Sequence, residues 1–238
     1  MSLGTTSRIT WLGHATFRIE FPGGEVVLLD PWLEGNPACP ERWHAPGRVD
    51  AVLVTHGHFD HLSAAADLGR AGAKVVCIFE IAQWLGAQGL PEERVVGMNK
   101  GGRVPVVPGL EATMVDAVHS GGIVDGDGRI VYGGEPAGFM LHFDGGPTIY
   151  FAGDTSLFGD MKLYGEVYRP ETAILPIGGH FTMGPEDAAR AARMLGVRRV
   201  VPCHFGTFPV LSGKPDQLAS ALEGAAEMVA VEPGQDLP

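Results

Sequence analysis

The sequence predicts an α+β fold of four layers, two mixed β-sheets packed face to face with helices on both outer sides (αββα). Three observations carry this. Short apolar runs recur along the 238 residues between turns fed by 35 glycines, the pattern of many strands joined tightly. The middle of the chain alternates strand-like and helix-like segments, which packs helices against a sheet. The second half then repeats the outline of the first. No stretch is long and polar enough to act as a linker, so residues 1–238 read as one domain.

The first runs are Ile9-Thr10-Trp11-Leu12, Thr16-Phe17-Arg18-Ile19-Glu20 and Val26-Val27-Leu28-Leu29, an antiparallel meander with a turn at Gly23-Gly24. The second run alternates apolar and polar residues, which predicts one solvated face. Residues 31–50, rich in Pro, Gly and Trp, read as a loop. Ala51-Val52-Leu53-Val54 is continuously apolar, as in a strand buried on both faces. A helix from Ser63 to Gly72, a strand from Lys74 to Ile78 and a helix over Ile81 to Gln88 follow. Further strands are expected over Leu110 to Val118, Gly138 to Phe143, Thr148 to Ala152, Thr172 to Leu175 and Arg199 to Pro202. Pro185 opens a helix with Glu186 and Asp187 in its first turn and Gly196 as its stop. A helix near Gln217 to Ala226 and a strand near Met228 to Val231 close the chain.

Composition narrows the function. The chain is 45% hydrophobic and 19% charged, ordinary for a soluble globular protein. No run approaches a membrane span, and Met1 to Arg8 holds no apolar core of a secretory signal. Three widely spaced cysteines, Cys39, Cys77 and Cys203, do not form a disulfide framework and point to a reducing, cytoplasmic compartment. A net charge of −11 argues against broad nucleic-acid binding, because like charges repel the phosphate backbone.

The strongest chemical signal is Thr55-His56-Gly57-His58-Phe59-Asp60-His61, directly after the buried run. In extended chain, residues two apart point the same way, so His56 and His58 can converge on one ion. Gly57 lets the backbone approach closely. Asp60 and His61 fall where the chain turns into a helix and can face a second ion. Three more strand ends carry ligand-type residues: Val118-His119-Ser120, Gly153-Asp154-Thr155 and Cys203-His204-Phe205. Each alone is weak; in this order they reinforce one another. Cys203 is assigned to the core, since neighbours along a strand point to opposite faces.

On these residues the chain resembles the metallo-β-lactamase superfamily over nearly its whole length. Asp30-Pro31 fits that superfamily's first motif, His56 to His61 its second, and His119, Asp154 and His204 the rest. Trp11-Leu12-Gly13-His14, Met98-Asn99-Lys100-Gly101-Gly102, Gly153-Asp154-Thr155 and Gly179-His180-Phe181-Thr182-Met183-Gly184 are similar to the branch of metal-dependent hydrolases near the L-ascorbate-6-phosphate lactonases. The resemblance implies that His56, His58 and His119 bind one metal ion, that Asp60, His61 and His204 bind a second, and that Asp154 bridges them. It implies that Asp30 orients a ligand histidine; a plain Asp-Pro turn is the alternative.

Such a cage suits two divalent ions, zinc or manganese first, with nickel or iron as further options. The expected reaction is hydrolysis of an ester-like bond in a small molecule, anionic ones included, a lactone or phosphodiester, by a hydroxide held between the ions. Asp60 is expected to help orient that hydroxide. His180 is weighed as a substrate contact or proton donor against a polar loop residue, His14 as a residue that supports a ligand or lines the pocket, and Asn99 and Lys100 as anion holders at the rim against a plain turn. His44 and His142 are assigned no role. Two other classes remain: a di-iron redox protein of the same fold, and a non-catalytic metal-binding protein. The oligomeric state is open, a homo-oligomer included.

Overall fold

The structure is a computed structural model and describes residues 4–238. Met1-Ser2-Leu3, part of the segment read above as no secretory signal, lies outside the described residues. The meander forms as expected: β1 (Arg8–Gly13), β2 (Thr16–Glu20) and β3 (Val26–Leu29) pair antiparallel. β4 (Ala51–Leu53), β5 (Lys74–Ile78) and β6 (Val95–Met98) then add in parallel. The order of this six-stranded sheet is β1-β2-β3-β4-β5-β6.

Between these strands lie α1 (Phe59–Leu62), α2 (Ala65–Arg70) and α3 (Phe79–Ala87). The second sheet has seven strands. They are β7 (Arg103–Val107), β8 (Leu110–Asp116), β11 (Ala137–Phe143), β12 (Thr148–Phe151), β13 (Thr172–Pro176), β14 (Arg199–Cys203) and β15 (Glu227–Met228). Its order is β15-β14-β13-β12-β11-β8-β7, parallel from β12 to β15 and antiparallel from β12 to β7. A small hairpin, β9 (Ile123–Val124) with β10 (Ile130–Val131), stands apart from both sheets. The outer helices on this side are α4 (Met161–Tyr168), α5 (Pro185–Leu195) and α6 (Pro215–Leu222).

One buried apolar cluster draws on both sheets, from Phe17, Leu28 and Val52 on one to Leu141, Phe151 and Val201 on the other. Phe17 and Phe151 meet edge to face across the gap, ring centres 6.0 Å apart. A second cluster seats α5, through Ala188, Ala192 and Leu195, on the outer face of the second sheet. These are the layers of an αββα sandwich, as the sequence predicts.

Two local expectations are corrected. The alternating strand β2 has no solvated face along Thr16 to Ile19: Arg18 is buried, its guanidinium 5.1 Å over the ring of Trp43. The loop of residues 31–50, which includes a 3-10 turn at Glu41–Trp43, covers it. The helix expected from Ser63 instead starts at Phe59 and breaks in two. The Ala64 amide leaves the helical ladder to donate to the Pro31 carbonyl at 3.0 Å, which interrupts the helix there.

Candidate metal centre

β3 and β4 run side by side and end together, and the site begins at that shared end. Asp30 follows β3 with φ 45°. Its carboxylate accepts from the Thr55 amide (2.8 Å), the Thr55 hydroxyl (2.7 Å) and Nδ1 of His61 (2.7 Å). One buried anion thereby clamps the start of the His56–His61 segment to its end. The ladder fixes which His61 nitrogen carries the proton, and leaves Nε2 to face inward.

Gly57 needs its missing side chain, because a Cβ there would fall 2.5 Å from Ile123 Cγ1 and 2.7 Å from the Gly121 carbonyl. Gly153 is needed twice over. It has φ 60°, and a Cβ would sit 2.8 Å from the Thr55 side chain; only there can β12 deliver Asp154 against the first sheet. Thr155 ties the neighbouring ends together. Its hydroxyl accepts from the Val118 amide at 3.0 Å, which sets the backbone that presents His119.

The predicted ligands converge. Nε2 of His56 lies 2.9 Å from Nδ1 of His58, and with His119 they form a set whose donor atoms all fall within 4.8 Å of one another. His14, Asp60, His61 and His204 form a second such set, and His56, His61 and Asp154 a third. Asp154 faces both sides: Oδ1 is 3.4 Å from His61 Nε2, and Oδ2 is 3.0 Å from His204 Nε2 and 3.6 Å from His119 Nε2. Yet His61 Nε2, both ring nitrogens of His204 and Asp154 Oδ1 are buried without a hydrogen-bond partner. Leaving four such atoms unsatisfied is costly. A divalent ion facing His61 Nε2, His204 Nε2 and Asp154 Oδ1 would satisfy three of the four at once, so these residues fit metal.

Electrostatics agree. Burial alone would push His204 down, but Asp154 and Asp60 raise it to about 9. Burial likewise opposes a charge on His61, yet Asp154, Asp30 and Asp60 hold it well above the usual range. Burial would raise Asp60 and Asp154, but the facing histidines hold both carboxyls below the usual range. Without metal, protons therefore sit where cations belong. Burial foremost, joined by the charge on neighbouring histidines, keeps His56, His58 and His119 lowered, so these three offer neutral imidazoles.

His14 belongs to the site. It occupies the β1–β2 turn at φ 54°, with Nε2 2.9 Å from Asp60 Oδ2 and Nδ1 2.9 Å from Thr207 Oγ1. Burial lowers it to about 4, so the ring is neutral. An ionised Asp60 can only accept, so Nε2 carries the hydrogen and Nδ1 accepts from the Thr207 hydroxyl.

Other predicted residues fall elsewhere. His58, Asp60, His119, Asp154 and His204 line a cleft of about 590 Å³ together with Phe59, Ser120, Gly122, Val124, Phe181, Phe208 and Val210. His180 does not line it: its exposed ring packs on Phe181, and Phe181 faces the cleft. Asn99 and Lys100 do not line it either. The Lys100 ammonium is engaged by Asp116, and Asn99 caps its own turn by accepting from the Lys100 amide at 2.8 Å. Cys203 is buried in the core and free. His44 contacts the Cys39 carbonyl and His142 bridges Thr113 and Thr148 on the sheet, both away from the cleft.

Sequence reasoning gave no individual role to Thr207, Thr155 or the residues of the aromatic wall. Thr155 was in plain view beside Asp154. Thr207 carried no signal, since its partner His14 is distant in sequence.

Fold and site together define a metallohydrolase of the β-lactamase type. A family profile described as "Beta-lactamase superfamily domain" matches residues 25–205. A metal-dependent hydrolase of the UPF0173 group from Koribacter versatilis is 50% identical over 229 residues, 96% of each chain. A UPF0173 metal-dependent hydrolase from Rubrobacter xylanophilus is 48% identical, covering 99% of this chain and 97% of its own. Among solved structures, the metallo hydrolase Igni18 from Ignicoccus hospitalis matches with a TM-score of 0.83 and 35% identity, over 98% of this chain and 97% of that one. The metallo-β-lactamase fold protein YhfI from Bacillus subtilis shares the fold, with a TM-score of 0.68 and 16% identity over 97% and 98% of the two chains. The chain belongs to the β-lactamase superfamily and, within it, to the UPF0173 metal-dependent hydrolases. Among the described residues no helix is long and apolar enough to cross a membrane.

Proposed function

We propose that the chain, read as one domain, is a dinuclear hydrolase that cleaves an ester-like bond, a lactone or phosphodiester, in a small molecule. The observation that carries this is the convergence of two ligand sets on either side of Asp154, with buried donor atoms that nothing else satisfies. His56, His58 and His119 would hold one ion, Asp60, His61 and His204 the other, and Asp154 would reach both. The all-nitrogen-and-oxygen donor set suits zinc or manganese, with nickel or iron as options. When bound, two divalent ions supply Lewis acidity and bring the pKa of water towards about 7.

The chain's own groups do the rest. Asp30 fixes the His61 tautomer. His14 fixes Asp60, which stays ionised and so acts as an acceptor that orients water. Phe59, Phe181 and Phe208 give the cleft an apolar side beside its polar floor. We assign the leaving-group proton to no residue of the lining, and His180 would reach it only from outside. The free, buried cysteines suit a reducing compartment such as the cytoplasm.

The test is metal content of the purified chain together with hydrolysis of a lactone and a bis-aryl phosphodiester after adding zinc or manganese. About two ions per chain, with turnover abolished by a chelator, is the expected result. Two irons, redox colour and no hydrolysis would replace it with an oxygen-reactive redox protein. Bound metal without turnover would leave a metal-binding protein.

A further inference from the structure

We infer that the cleft takes an uncharged substrate with an apolar body, such as an alkyl- or aryl-substituted ester or lactone, rather than a phosphate or carboxylated one. The choice of bond rests on the hydrolase reading above; the recognition does not.

The cleft has a polar floor and apolar walls. Its floor is five of the metal-type donors. Its walls are Phe59, Val124, Phe181, Phe208 and Val210, and among the described residues no Lys or Arg lines it. The Lys100 ammonium, which the sequence offered for holding an anion, is engaged by Asp116 instead. Away from the metal donors, the chain's net charge of −11 further disfavours an anionic substrate body.

The wall is built, not incidental. Phe208 stacks on buried Trp32 with ring centres 5.8 Å apart, and Phe59 meets the same indole edge-on at 5.4 Å. Phe208 also touches His14 edge-on at 5.7 Å. The aromatic surface is therefore held in place before anything binds, while Phe59 stays 60% and Phe181 55% exposed. Exposed apolar surface of this kind beside a concave polar floor marks a binding site.

The hairpin extends it. Ile123 is buried under Gly57 and anchors β9, so the next residue, Val124, turns to the cleft. Ile130 pairs directly with Val124, and directly opposed residues share one face. Ile130 is 79% exposed. The apolar track thus runs from the metal donors along Val124 towards Ile130, long enough for a chain rather than a compact head group.

The test uses metal-loaded protein and calorimetry with a series of metal-anchoring probes: acetohydroxamate, butyrohydroxamate, hexanohydroxamate and octanohydroxamate, with the same chains ending in a carboxylate. Kd should fall about two- to fourfold per methylene, and a terminal carboxylate should cost about tenfold or more. Phe181→Ser should flatten the chain-length dependence. Val124→Ser, on the surface hairpin, should do the same if the first variant does not fold. A Kd independent of chain length, tighter binding of the carboxylated series, or no binding of any hydroxamate by metal-loaded protein would overturn the inference. The kcat/KM of aryl esters of matched chain length separates the two readings. Chain-length-dependent binding without turnover of any ester or lactone leaves the apolar site standing and removes the hydrolase reading.

Discussion

Nδ1 of His61 donates to Asp30 at 2.7 Å, and both side chains are fully buried. The bond spends one imidazole nitrogen on an anchor and leaves Nε2 as the group that can hold metal. Asp30 also holds the Thr55 amide and hydroxyl, so it shapes the whole ligand segment. We predict that Asp30→Asn weakens metal binding about 10- to 100-fold and lowers Tm. Metal titration followed by calorimetry checks it. Unchanged affinity would mean that the His61 orientation is set by packing alone.

His14 acts through Asp60. We predict that His14→Ala lowers affinity for the ion held by Asp60 about 10- to 100-fold, while the His56, His58 and His119 side keeps its ion. His14→Gln, which still offers a donor, should restore much of the loss. Thr207→Val should weaken binding in the same direction, but less. Stepwise titration with a coloured metal separates the sides; equal loss on both would show a general structural defect.

Stability should depend on pH differently with and without metal. In the metal-free chain His204 is raised from 6.5 to about 9. Its contribution is full below the unfolded value and lost as pH rises through about 9; the shift corresponds to about 3 kcal/mol. Asp60 and Asp154 are lowered, so they contribute above the usual carboxyl range and lose that contribution in acid. His14, lowered to about 4, must stay neutral in the fold and adds to the loss as pH falls below about 6.5. The metal-free Tm should therefore peak near neutrality and drop on the alkaline side. Metal replaces the His204 proton, so the gap between metal-loaded and metal-free Tm should widen from about pH 7 to about pH 10. A constant gap would show that His204 carries no proton in the metal-free fold.

The sequence exposed most of the ligand-type residues because they follow strand ends, where an apolar run stops at a charged or imidazole side chain: Val54 before His56, Ala152 before Asp154, Cys203 next to His204. Strands β1 to β5 and helix α5 were legible for the same reason, as continuous apolar periodicity with clear stops. β6 and β7 were not, because β6 carries Gly97 and β7 carries Pro105 at the sheet's edge, residues that weaken strand signals. α4 was hidden by Gly165 and its three aromatic or β-branched residues. The stacking in the aromatic wall was not legible: Trp32, Phe59 and Phe208 come from three segments, and only the folded chain brings their rings together.

The two sheets should depend on Phe17 and Phe151 jointly. Each is fully buried, and their rings meet edge to face between β2 and β12. Phe17→Ala or Phe151→Ala should each cost about 3–5 kcal/mol, by lost burial and a residual cavity. The double variant should cost less than the sum by about 0.5–1.5 kcal/mol, the part that belongs to the ring pair itself. Denaturant unfolding of the four proteins, metal-free to exclude ligand linkage, measures both quantities. Strict additivity would mean that each ring packs on its own sheet and that this contact does not hold the two layers together.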